Sequence, residues 1–170
     1  EVPVDADSAH LIFNSFGTYL VPLNADKITI DSTAQINGYT WTPIKARELI
    51  IHGYFESNAV DTIEKLTIFF SGDFNAPLVC DTIILTNPYQ YFAFSTVVVN
   101  NYIATISTPG NQIYFNGSAP GTLLVNNMDT VCLDYLKMSG VDALGSAVYY
   151  AGIFSDDDGG NTGWSFTSCS

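Results

Sequence analysis

Period-two alternation of apolar and polar residues constrains this chain more than any other feature. It runs through KITIDSTAQI (27–36), RELIIHGYFE (47–56), EKLTIFFSG (64–72), VCDTIILT (79–86) and YFAFSTVVV (91–99). It continues through YIATIS (102–107), NQIYF (111–115), TLLVN (122–126), TVCLDYLKMS (130–139) and SAVYYAGIFS (146–155). Successive side chains of a strand point to opposite faces, and Val, Ile, Thr, Tyr and Phe suit a half-buried pleated surface. Most runs are bounded by turn pairs such as NG, GD, NP, PG and GG. About ten short strands at this spacing predict an all-β, antiparallel sandwich with little or no helix. ALGSA and VDTIEKL are too short for helical periodicity, and we read no internal repeat of fixed period.

Within the runs, Leu66, Ile68 and Phe70 are expected on one buried face. Leu49, Ile51 and Phe55 alternate against Ile50, His52 and Tyr54, with Gly53 at a bulge or a close backbone approach. A chain of 170 residues suits one domain, divided as residues 1–155 and an acidic, glycine-rich tail at 156–170.

Net charge is −12 with five basic residues, Lys27, Lys45, Arg47, Lys65 and Lys137. Such a chain cannot neutralise a run of phosphates, so nucleic acid is not an expected partner. No apolar stretch approaches the roughly 20 residues of a membrane helix, and EVPVDADSAH lacks the basic start and apolar run of a signal peptide. Cys80, Cys132 and Cys169 have no CxxC spacing, which argues against zinc, and an odd count leaves at least one thiol free or paired elsewhere.

No catalytic constellation stands out, and no enzyme is expected. His10 and His52 have no Cys or His partner at ligand spacing, and Ser118 in NGSAPG reads as a turn rather than a nucleophile elbow. Glu48 and Glu56 lie too far apart along an extended strand for a glycosidase pair; a hairpin would allow Glu56 and Glu64 to meet, but solvated strand ends are the preferred reading of these carboxylates.

The tail SDDDGGNTGWSFTSCS fails the EF-hand template, because Gly160 falls at position 5 and Asn161 at position 6 when Asp156 is position 1. A looser calcium site would use Asp156, Asp157, Asp158 and Asn161. Otherwise the glycines make a hinge, and Trp164 and Phe166 form one face of a short strand for a subunit interface or for folding back on the same sheet. Tyr39, Trp41, Tyr89 and Tyr91 sit beside turn signals, where rings can stack on sugars. Asn116 in NGS fits an N-glycosylation acceptor.

ARELIIHGYFESN followed by EKLTIFFSGD, and then QIYFNG, DTVCLDYLKMSG and SAVYYAGIF, resemble the strands of viral jelly-roll structural proteins over residues 28–154. The resemblance implies a jelly-roll sandwich in a self-assembling capsid, spike or fibre protein. Such a protein is commonly trimeric, lies at the virion surface and sometimes contacts a host receptor. Two further expectations stand beside it: a secreted carbohydrate-binding module, and a subunit of an extracellular filament joined by strand donation.

Overall fold

Successive strands of this chain climb rather than turn back. The computed structural model describes residues 4–15, 23–36, 43–59, 61–86 and 91–169, and among these there is no helix. The strands are β1 (Val4–Phe13), β2 (Leu23–Ile30), β3 (Gln35–Ile36), β4 (Ile44–Ile51), β5 (Tyr54–Ser57), β6 (Asp61–Ile68), β7 (Ser71–Phe74) and β8 (Leu78–Leu85). They continue as β9 (Tyr91–Thr105), β10 (Ile113–Val125), β11 (Thr130–Cys132), β12 (Leu136–Leu144), β13 (Val148–Tyr150), β14 (Asp156–Asp157) and β15 (Trp164–Ser165). Every ladder between these strands is parallel, and together they form a β-solenoid of about seven turns.

The predicted antiparallel jelly-roll sandwich is therefore corrected to a parallel solenoid, and the terms jelly roll and β-sandwich do not describe this chain. Alternation reports which side chains are buried and is silent about strand direction. It usually signals an antiparallel sheet because open parallel sheets are covered on both faces. A solenoid is the exception, since its parallel sheet closes on its own core and leaves the outer side in water.

Three faces recur through the described turns. The first and second are the two halves of the long strands, as in Ile44–Ala46 and Glu48–Ile51 of β4, stacked on β6 and then β8. The third is built from β3, β5, β7 and the leading segments of β9, β10 and β12. Ile28, Leu49, Leu66, Ile83 and Ile103 make one inward column on the second face, and Ile30, Ile51, Ile68 and Leu85 the next. Phe70, expected beside Leu66 and Ile68, is instead 57% exposed, because the strand ends at Ile68 and the chain rounds a corner. Gly53 occupies the corner between β4 and β5, where a Cβ would lie 2.2 Å from the Ala34 carbonyl oxygen. The close approach expected there is present.

A repeat does exist over the middle turns. ARELII (46–51), IEKLTI (63–68) and CDTIIL (80–85) stack in register with an offset of 17 residues. Later turns insert residues at their corners, stretching the offset to 19 and then 26, which hides the period.

The third face buries a column of rings. Phe55, Gly72, Phe92 and Phe115 are register partners, and Phe74 leans into the space beside Gly72. The Phe74 ring lies 5.4 Å from Phe55 and 6.0 Å from Phe92, which in turn lies 5.6 Å from Phe115.

One inward position on the first face is polar. Asp61 is fully buried in the column Leu23, Ile44, Asp61, Leu78, Val97; its Oδ1 accepts a 2.8 Å hydrogen bond from the Ile44 amide and its Oδ2 has no partner. Burial pushes its pKa from 3.8 up to about 6. With the folded value above the unfolded one, the folded state holds the extra proton. Stability then falls as pH rises from about 4 to 6, by about 3 kcal/mol at neutral pH. We expect Asp61→Asn to abolish that slope. Thermal melts of both proteins from mildly acidic to neutral pH check it, and a pH-independent difference between them contradicts it.

The tail lies on the solenoid. Asp156 and Asp157 pair with Lys137 and Met138, and Trp164 and Ser165 pair with Tyr149 and Tyr150. Trp164 closes the core edge-on against Phe115 and Tyr149, at 6.3 and 5.2 Å. A disulfide between Cys132 and Cys169 fastens the tail, and Cys80 is a buried free thiol.

Candidate functional site

Because strand alternation continues through the third face, the side chains beside each inward phenylalanine project from its outer side, although Ser71 and Ala93 among them are buried. Tyr54, Ser71, Tyr91, Tyr114 and Lys137 are register partners on successive turns and form one outward row. Adjacent turns are about 4.8 Å apart. Tyr91 is 41% and Tyr114 38% exposed. Ser71 is buried between Tyr54 and Tyr91, so its short side chain leaves a shallow break between two rings. At the far end, the Lys137 ammonium lies 5.7 Å from the Tyr114 ring centre and pairs with Asp158 at 3.4 Å.

A second outward row runs beside the first: Glu56, Asp73, Ala93, Asn116 and Ser139. Glu56 accepts hydrogen bonds from the Tyr54 hydroxyl at 3.4 Å, Asn58 Nδ2 at 3.4 Å and Asn75 Nδ2 at 3.3 Å. Asp73 Oδ1 is buried and receives no hydrogen bond. Burial, and then the charge of Glu56, hold the Asp73 carboxyl above the usual carboxylate range. Burial, together with Glu56 and Asp73, pushes the Tyr54 hydroxyl up to about 12. Tyr54 therefore stays a neutral hydroxyl throughout the physiological range.

The other polar cluster follows the corner between the first and second faces. A cleft of about 500 Å³ there is lined by Arg47, Glu48, Glu64, Lys65, Asp81, Thr82 and Asn101. Its charges largely satisfy one another. Arg47 is bidentate to Asp26, and Glu48 bridges Lys27 at 2.8 Å and Lys65 at 3.2 Å, which holds its carboxyl below the usual range. Asn100 donates to Asp81 and Asn126 to Asn100 in a short ladder along the axis. This corner reads as the seam that keeps successive turns in register.

Of the residues singled out from the sequence, Tyr39, Trp41 and Tyr89 lie outside the described residues, while Tyr91 stands in the middle of the tyrosine row. Asp157 accepts from the Gly159 amide and Asn161, Asn161 accepts from the Val141 amide, and Asp158 faces Lys137. These groups tie the last turn together, and no group of His, Cys, Asp or Glu able to hold a metal occurs among the described residues. Trp164 and Phe166 are half-buried and pack against the chain's own core. Glu56 and Glu64 do not meet across a hairpin: Glu56 projects from the third face and Glu64 from the corner between the first and second. Asn116 takes its place in the second outward row.

Sequence reasoning missed Tyr54, Tyr114, Glu56 with Asp73, and Lys137 as neighbours. The 17-residue offset, with each corner insertion allowed for, is the signal that would have aligned them.

No family model, curated protein or solved structure matches the chain. Nothing in these comparisons bears on the viral resemblance, and a solenoid is compatible with structural roles without singling one out.

Proposed function

We propose that this chain is a non-enzymatic, extracellular binding module that holds a glycan along its third face. The observation that carries the reading is the single row of outward tyrosines, Tyr54, Tyr91 and Tyr114, on a rigid parallel sheet. A tyrosine offers a broad apolar ring with a polar tip and few rotors to immobilise, which suits the apolar face and hydroxyl rim of a sugar. The adjoining row supplies carboxylate, amide and hydroxyl groups for those hydroxyls.

Charge narrows the ligand. Four of the five basic side chains are ion-paired, Lys27 and Lys65 to Glu48, Arg47 to Asp26 and Lys137 to Asp158. With a net charge of −12, nothing here attracts a polyanion, so the ligand is neutral or cationic. The Cys132–Cys169 disulfide supports an oxidising compartment, as expected of a secreted module.

Affinity electrophoresis against neutral and amine-bearing polysaccharides tests the reading. Tyr91→Ala and Tyr114→Ala are each expected to weaken retention about five- to tenfold. Their melting temperatures should stay close to the parent's, because both side chains are largely outside the core. A protein retarded by none of the polysaccharides, or variants retarded like the parent, would overturn it.

A further inference from the structure

We infer that the third face selects a glycan whose sugars carry free, protonated amines. This inference rests on the glycan-binding reading and adds the ligand's chemical class to it.

The carboxylates of Glu56 and Asp73 are outward register partners on adjacent turns, one step along the axis from each other. Every hydrogen bond that Glu56 accepts comes from a neutral donor, Tyr54, Asn58 or Asn75, at 3.3 to 3.4 Å. Neither carboxylate is ion-paired among the described residues. Four of the five basic side chains are committed elsewhere: Lys137, at the other end of the tyrosine row, is held by Asp158, and Lys27, Lys65 and Arg47 belong to the seam between the first and second faces, while Lys45 projects from the first face beside Asn24 and Thr62.

Two like charges on adjacent turns repel, and a cation placed beside them removes the repulsion and gains charge-assisted hydrogen bonding. Asp73 Oδ1 is buried and accepts no hydrogen bond within the protein, so a cation at the outer edge of the pair supplies counter-charge that this carboxyl otherwise lacks. Beside this pair on the same face stand the rings of Tyr54 and Tyr91, with the buried Ser71 between them. A ligand that stacks on the tyrosine row thus places its edge over the carboxylate row. A ring with an amine at that edge satisfies both rows. An acetylated amine keeps the stacking and loses the charge.

Isothermal titration of the whole chain with an oligomer of β-linked glucosamine, its fully N-acetylated counterpart and an oligolysine of similar length tests this. At low salt the glucosamine oligomer is expected to bind about tenfold more tightly than the acetylated one. Raising the salt, or either Asp73→Asn or Glu56→Gln, should bring the ratio of the two affinities near one. Tyr91→Ala should weaken both oligomers together. Circular dichroism melts confirm that each variant folds, and using two carboxylate variants keeps the test intact if one does not.

Equal affinities for the two oligomers in the parent would overturn the amine selectivity and leave the glycan reading standing. Oligolysine binding as tightly as the glucosamine oligomer, with no loss in Tyr91→Ala, would overturn both, since the face would then be a plain acidic patch. Failure to bind either sugar oligomer would also overturn both.

Discussion

Replacing Phe92 by alanine is expected to destabilise the protein by about 3–5 kcal/mol, the range for deleting a large buried ring. Phe92 is fully buried in a central turn and touches three other rings, Phe74 at 6.0 Å, Phe94 at 5.1 Å and Phe115 at 5.6 Å. The neighbours cannot collapse into the space. They are fixed by parallel ladders on both sides of β9, to β7 before it and β10 after it. The midpoint of urea unfolding reads the effect. Phe70→Ala is the control: its ring is more than half exposed at a corner, and its loss should change stability by no more than about 0.5 kcal/mol. A cost below about 1 kcal/mol for Phe92→Ala, or equal costs for the two, would contradict the ring column.

Breaking the Cys132–Cys169 bond has the second large effect. The two cysteines are 37 residues apart in sequence, and closing a loop of that length removes about 4 kcal/mol of unfolded-state entropy in the chain-entropy account. The loss is local, because each turn of a solenoid contacts only its neighbours. Once released, the tail no longer holds Trp164 over Phe115 and Tyr149, and the core's C-terminal end opens to water. Hydrogen exchange on Cys132→Ser is therefore expected to show faster exchange for the amides of β12, β13 and the tail. The amides of β4, β6 and β8 should keep their protection. Uniform acceleration, or none, would contradict a disulfide that acts as an end clamp.

The sequence made the strands legible and left their direction hidden. Leu49 and Ile51, and Leu66 and Ile68, are inward as alternation predicted, and the all-β class follows from the same runs. What alternation cannot carry is the pairing partner. Among the described residues, the pairs PG at 109–110 and GG at 159–160 fall between strands, whereas GD at 72–73 and NG at 116–117 lie inside β7 and β10, and the chain continues upward through both. Three hexads, ARELII, IEKLTI and CDTIIL, held the parallel stacking in plain view, but the corner insertions before Tyr91, Gln112 and Gly121 broke the period. The jelly-roll fold that the resemblance implied rested on those same runs, and the parallel strand direction overturns that fold.

The candidate site shows the same limit. Tyr91 was legible because it follows a turn signal, whereas Tyr54 and Tyr114 sit inside strands where a ring more often faces the core. Only the stacking of turns reveals that all three point outward. The tail's acidic glycines were legible as a loop. Their role as the last turn needed the contacts of Asn161 with the Val141 amide and of Asp158 with Lys137, which join residues about 20 positions apart.

Alignment of the tyrosines is the claim on which the binding face depends, and a paired-cysteine cross-link tests it most directly. Tyr91 and Tyr114 are outward register partners on adjacent parallel strands, so their Cα atoms are about 4.8 Å apart, within the range a disulfide spans. Tyr91→Cys combined with Tyr114→Cys should form that bond under mild oxidation, read as a linked peptide pair by mass spectrometry. Tyr91→Cys combined with Tyr102→Cys, which lies on the second face, should not. A bond in the control pair instead, or none in the first, would contradict the parallel solenoid and the tyrosine row together.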